Sequence, residues 1–243
     1  MKVWGMTDIG LVRVENQDAY ATWQTEHYTA AVVCDGMGGT LGGQVASRIA
    51  VETFRQELTG AIQPDMEPQQ LSQIVLYAVS RANAAIRKAA QAEPVYEKMG
   101  TTLVGAVCIG NQVLVCNIGD SRAYLLNAEG IQQISRDHSV VENMVERREI
   151  SAAEARNHPS RNLITRALGP DEHPQADTFS LTWQEGDVLL LCTDGLVNTV
   201  SDQEMLFEVI HDKDMDGCPA RLLELSHRRG APDNVTAVLI KNQ

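Results

Sequence analysis

Four apolar runs of this chain end on, or begin beside, an aspartate set in a tight turn. They are YTAAVVCDGMGG with Asp35, VLVCNIGDSRAY with Asp120, DVLLLCTDGL with Asp194 and PDNVTAVLI with Asp233. One carboxylate at a strand end is an ordinary turn residue. Four at the rims of oily segments predict anions that meet in space. Carboxylates held close repel one another, so such a cluster needs cations. Oxygen-only donors favour hard divalent ions such as Mg²⁺ or Mn²⁺. Asp35-Gly36 and Asp194-Gly195 repeat one device, a carboxylate followed by a residue that lets the main chain come close. Met37, Gly38, Gly39, Thr40, Leu41, Gly42 and Gly43 follow the first pair, a glycine density expected just before a helix where backbone approaches a ligand. No Walker lysine accompanies it. For Asp120 the alternative is a plain salt bridge to Arg122. Near the N-terminus, RVENQD offers Arg13, a planar fork of donors suited to a phosphate dianion. It also offers Asp18, a carboxylate able to hold water around an ion.

These residues need a scaffold. The chain has 243 residues, of which 44% are hydrophobic, enough for a sizeable core. Periodic apolar positions predict one helix ending near Leu58 and a second from Pro68 through Ile86, with the stretch from Gln63 to Pro68 as a loop. Strand runs follow at TTLVGAVCIG, QVLVCNIG, SRAYLLNAEG and IQQIS, with a hairpin turn at Asn127 to Gly130. Asp137 to about Gly169 is more polar. There Ser151 and Glu154 form a capping box for a short helix that His158-Pro159 ends. Strands are expected near Asp177–Leu181 and Asp187–Cys192. Ser201 with Glu204 starts a helix through Ile210, Pro219 and Gly230 bracket another, and Asn234–Ile240 closes the chain as a core strand. The order is not a βαβα alternation, so two antiparallel sheets with helices outside fit better than a doubly wound parallel sheet.

A formal net charge of −12 and a pI near 4.9 argue against nucleic acid as a partner, because phosphate backbones need a basic face. No secretory segment is visible and no run reaches membrane-spanning length. Five cysteines without a CxxC pair suit a reducing compartment. Cys34, Cys108, Cys116 and Cys192 read as small buried hydrophobes. A cytoplasmic monomer that contacts no membrane is expected.

Taken together, RVENQDAY (13–20), VCDGMGG (33–39), MGTTL (99–103), GDSRAY (119–124), HPSRNLITRALG (158–169), CTDGL (192–196) and APDNVT (231–236) resemble the metal-dependent serine/threonine protein phosphatases of type 2C in their compact bacterial form. The resemblance runs from Thr7 to Ile240. It implies an α+β fold, a four-layer α/β/β/α sandwich of two central antiparallel sheets flanked by helix pairs, as one catalytic domain over 1–243. It implies two Mn²⁺ or Mg²⁺ ions and phosphoserine or phosphothreonine proteins as substrates. Asp35 would bridge the ions and Gly36 would give a carbonyl to one of them. Asp194 and Asp233 would ligate the other, and Asp18 would hold water around the pair. Arg13 would bind the phosphate, and Asp120 with Asp194 a third, weaker ion. The stretch at about 145–169 would be the flap beside the site. Three positions depart from the pattern. Relatives carry histidine where Thr40 or Met37 stands, and commonly glycine where Arg148 stands in the flap; Thr40 and Arg148 are thus candidate substrate or flap residues. The acid for the leaving alkoxide is then expected to be metal-bound water, with His138 as a candidate. The rival expectation is a phosphatase-like module that binds and signals with little catalysis.

Overall fold

Short apolar runs bounded by turns pair into two antiparallel sheets in the computed structural model, which describes residues 1–211 and 214–243, with Thr40 lacking a described side chain. The first half of the chain gives β1 (Lys2–Asp8), β2 (Asp18–Gln24), β3 (Thr29–Met37), α1 (Gly39–Leu58), α2 (Pro68–Ala92), β4 (Gly100–Thr101), β5 (Leu103–Ile109) and β6 (Gln112–Ile118). Then come β7 (Arg122–Asn127), β8 (Gly130–Gln133), α3 (Val140–Glu146), α4 (Ala152–Ala155), β9 (Asp177–Thr182) and β10 (Val188–Cys192). The chain finishes with α5 (Asp194–Val197), α6 (Asp202–Ile210), α7 (Cys218–Arg228) and β11 (Val235–Lys241). One sheet runs β1-β11-β10-β7-β8. The other runs β2-β3-β5-β6-β9, with β4 beside β3. The terminal strands are neighbours, Lys2 opposite Lys241, and the Met1 amino group donates to the Gln243 carbonyl.

Three apolar layers hold the sheets and helices together. Ala31, Val33, Val104, Ala106, Leu189, Leu191, Val238 and Ile240 fill the space between the sheets. Phe54 and Leu58 of α1 and Val75, Val79 and Ile86 of α2 cover the outer face of the second sheet. Met205 and Val209 of α6 and Leu222 and Leu223 of α7 cover the first. The result is the expected four-layer α+β sandwich. Strand β11 is buried on both faces: Ala237 and Leu239 meet the helices, and Val238 and Ile240 meet the other sheet. All five cysteines are free and buried, Cys218 included.

Local signals account for most boundaries. Pro68 opens α2 behind a reciprocal Glu67–Gln70 cap, and Ser151–Glu154 and Ser201–Glu204 cap α4 and α6. Three features differ from expectation. Helix α1 starts at Gly39, so Gly42 and Gly43 belong to its first turns rather than preceding it. The cause is contact: a Cβ on Gly36 would fall 2.0 Å from the Gly43 carbonyl oxygen, so strand and helix cross where neither carries a side chain. The run TTLVGAVCIG breaks at Thr102, where the hydroxyl takes the Asp35 amide at 2.9 Å while the Thr102 amide still donates to the Asp35 carbonyl. Helix α3 arises inside the polar stretch, capped by Ser139 accepting from the Glu142 amide at 3.1 Å.

Candidate active site

The two sheets meet at one end around a cleft of about 470 Å³. Asp35, Gly36, Asp120, Asp194 and Asp233 line it with Arg13, Met37, Asn162 and Ile164. Each sheet contributes. Asp35 lies in β3, and its cross-strand partner is Asp18, the first residue of β2. Asp194 follows β10 and Asp233 precedes β11, both in the other sheet. Asp120 sits on the turn between β6 and β7, where the chain passes from one sheet to the other. Aspartates from distant parts of the sequence thus face one space.

The backbone around Asp35 is pinned. Its carbonyl accepts from the Thr102 amide at 2.9 Å and the Thr101 hydroxyl at 2.8 Å. The Gly36 amide donates to the Gln17 carbonyl at 3.1 Å. Asp18 lies beneath the cleft and is buried. Its Oδ2 accepts from the Thr236 hydroxyl at 2.6 Å and the Thr193 hydroxyl at 2.8 Å. Because Thr236 gives its proton to Asp18, the 2.7 Å contact between Thr7 and Thr236 has Thr7 as donor, and Thr7 in turn accepts from the Asn16 amide at 2.9 Å. The chain of donors has one direction and ends on a carboxylate. Asp18 Oδ1 and Asp194 Oδ1 are buried and have no hydrogen-bond partner among the described residues.

Electrostatics match the crowding. Burial, opposed by the two threonine hydroxyls, pushes the Asp18 carboxyl up to about 7. Burial and the Asp194 charge push Asp120 up to about 7, and burial and the Asp233 charge push Asp194 up to about 6. Asp35 is raised too, by burial and then by the charges of Asp18, Asp194, Asp120 and Asp233. Four carboxyls made reluctant to ionise are a site that calls for positive charge. In this structure Arg13 supplies part of it, donating to Asp233 Oδ2 at 2.6 Å. Among the described residues no three His, Cys, Asp or Glu side chains close on a single point. The acidic groups ring the cleft rather than cage an ion.

Other expected residues stand elsewhere. Arg122 forks onto Asp137, at 2.7 Å for the shortest bond, and so does not take Asp120 as its partner. His138 is buried behind the cleft and does not line it. Its Nδ1 accepts from the Gly119 amide at 3.2 Å, which leaves Nε2 to donate to Asp177 at 3.1 Å. Burial lowers its pKa. Arg148 is exposed on the turn after α3, outside the cleft lining, with φ of 59°. The Thr40 side chain lies outside what the structure describes. From the 145–169 stretch, Asn162 and Ile164 reach the cleft. Thr193, Thr236, Thr102 and Asn234 were not singled out in the sequence. Asn234 accepts from the Gln17 amide and donates to the Ile9 and Glu15 carbonyls, tying the β1–β2 loop to the site. Thr193 and Asn234 carried a signal, each adjoining an aspartate at the end of an apolar run, whereas Thr102 has no aspartate near it in the sequence and Thr236 lies inside a strand.

Known proteins agree with this architecture. The chain is 33% identical over 239 residues to the serine/threonine phosphatase stp of Listeria monocytogenes, covering 97% of this chain and 93% of that protein. It is 37% identical over 240 residues to the serine/threonine protein phosphatase PstP of Mycobacterium tuberculosis, covering 96% of this chain and 43% of that longer protein. The crystal structure of the serine/threonine phosphatase Stp1 from Staphylococcus aureus superposes with a TM-score of 0.93 at 32% identity, covering 100% of this chain and 95% of that one. Residues 13–218 match the family described as protein phosphatase 2C, and the chain belongs to that family.

Proposed function

We propose that this chain is a metal-dependent phosphatase that removes phosphate from phosphoserine and phosphothreonine in proteins, acting as a single catalytic domain. The observation that carries the reading is the ring of Asp35, Asp120, Asp194 and Asp233 around one cleft, with the buried carboxyls raised and Asp194 Oδ1 left without a partner. This donor set fits two Mg²⁺ or Mn²⁺ ions, hard cations that take carboxylate and carbonyl oxygens and keep several waters. Ions that keep water need no tight protein cage, which agrees with carboxylates spread around the cleft. Asp35 and the Gly36 carbonyl would hold one ion, Asp35, Asp194 and Asp233 the other, and Asp120 with Asp194 a third, weaker one. When bound, such ions lower the pKa of water and neutralise charge on the phosphoryl oxygens.

The residues then have distinct tasks. Asp18 Oδ1, locked by the threonine hydroxyls on its other oxygen, orients water at the floor of the cleft. Arg13 exchanges Asp233 for the phosphoryl group, presenting its fork to two oxygens. Attack on phosphorus is in line, without a covalent enzyme intermediate. With Met37 at the cleft and His138 behind it, the leaving alkoxide takes its proton from cleft water. The binding-only reading is weakened by the complete set of aspartates. Replacing Asp194 or Asp233 with Ala should abolish Mn²⁺-dependent hydrolysis of p-nitrophenyl phosphate. Wild-type activity in either variant would remove the assignment.

A further inference from the structure

The rim of the cleft is oily. Leu11, Val12 and Val14 are 61%, 66% and 86% exposed and flank Arg13 on the β1–β2 loop. Val14 also lines the cleft itself, as do Ile164 and Met37. This loop does not expose them through slack. The Gly10 amide donates to Asp8 Oδ1 at 2.8 Å and the Leu11 amide to the Ala231 carbonyl at 2.9 Å. Asn234 holds the carbonyls of Ile9 and Glu15, and Arg13 is tied to Asp233. A fastened backbone therefore keeps a run of aliphatic side chains in water beside a reactive cleft. Scattered exposed aliphatics need no explanation, but a contiguous group of this kind marks a contact surface.

The charges around it narrow the partner. Arg13 is the only Lys or Arg among the described residues lining the cleft, and the phosphoryl group claims it. An acidic side chain next to the phosphorylated residue would find no second Lys or Arg among the described lining residues. A basic neighbour would gain little: the four lining aspartates are taken up by the ions of the proposed function, and Glu15, the remaining carboxylate among the described lining residues, has its Oε2 buried. An aliphatic neighbour would cover Val14 and Val12 as the phosphoryl group reaches Arg13 between them. We infer that the Leu11–Val14 rim selects phosphopeptides carrying a bulky aliphatic residue close to the phosphorylated one. This rests on the function proposed above.

The test compares phosphothreonine peptides with leucine, serine, glutamate or lysine as the neighbour, alongside p-nitrophenyl phosphate. Partial burial of one aliphatic side chain is expected to raise kcat/KM for the leucine peptide about tenfold over the serine peptide. The glutamate peptide should be slowest. The Val12→Ser/Val14→Ser double variant should bring the leucine-to-serine ratio close to one, with its Tm held because both positions are exposed. Phe207→Ser, at an exposed apolar position on α6 outside the cleft lining, should keep the wild-type ratio. A wild-type ratio near one, a ratio that survives in the double variant, or a faster lysine peptide overturns the inference. If p-nitrophenyl phosphate is hydrolysed while the peptides are not distinguished, the rim reading alone fails. If neither is hydrolysed with Mn²⁺, the proposed function fails with it.

Discussion

Asp18 does not line the cleft, yet two threonines from the other sheet donate to it. A neutral site would lose little from removing one of those hydroxyls. A carboxylate loses more, since hydrogen bonds to charged groups contribute about 1.5–3 kcal/mol. Thr236→Val should therefore lower the unfolding free energy by about 2 kcal/mol in urea titrations, and Thr236→Ser should recover most of it. His138 invites the opposite expectation. Its ring accepts from Gly119 and donates to Asp177, and neither task is proton transfer to substrate. Asparagine can keep the Gly119 contact without a titratable ring. His138→Asn should leave kcat for p-nitrophenyl phosphate within about tenfold, a barrier change of about 1.4 kcal/mol, and keep the alkaline limb of its pH profile, where an essential general acid would lose its proton. Disappearance of that limb would make His138 the acid after all. At this scale the aspartates were legible in the sequence because each interrupts an apolar run. The threonines were not, because a hydroxyl beside a strand end reads as ordinary turn chemistry until another sheet's carboxylate is seen against it.

Elements were legible where a local rule decided them and obscure where contact did. The caps of α2, α4 and α6 and the hairpin at Asn127–Gly130 follow from residues within a few positions of one another. The start of α1 does not. Glycines weaken a helix in isolation, and only the crossing of Gly43 against Gly36 explains their place in its first turns. Helix α3 had a signal, Ser139 three residues before Glu142, hidden in a polar stretch that resembled a loop. The turn after α3 carries Arg148 in a left-handed conformation that disfavours side chains by about 1–2 kcal/mol. Arg148→Gly relieves that strain at some cost in unfolded-chain entropy. The net gain should be about 0.5–1 kcal/mol, read as a Tm rise of about 2 °C in a thermal melt. An unchanged or lower Tm would mean that the arginine contributes contacts worth more than its backbone strain.

At the scale of the molecule, the site is where two sheets share a boundary, and its charges belong to both. Asp18 and Asp35 come from one sheet, Asp194 and Asp233 from the ends of strands in the other. Stability should follow. Asp18 and Asp120 are raised to about 7 and Asp194 to about 6, against about 4 in an unfolded chain. The folded state therefore binds more protons than the unfolded state between about pH 4 and 7, so stability falls as pH rises through that window. Protein stripped with EDTA should melt lower at pH 8 than at pH 6. Mn²⁺ should raise Tm by more at pH 8, where every raised carboxyl is ionised. A stripped protein that melts higher at pH 8 would show that the aspartates do not repel one another as the geometry requires. The layer order was legible from the succession of strands and helices. The pairing of the first strand with the last was not, since neither periodicity nor turn chemistry reaches across the length of a chain.

That pairing has a practical side. Lys2 and Lys241 sit opposite each other at one end of the β1–β11 ladder, and Asp8 opposite Val235 at the other, close in sequence to Asp233 of the cleft. Seven residues of extended strand separate the two ends by about 20 Å. A fluorescent label, affinity handle or surface tether attached at Met1 or Gln243 would therefore sit a full strand length away from the Asp233 end of the ladder.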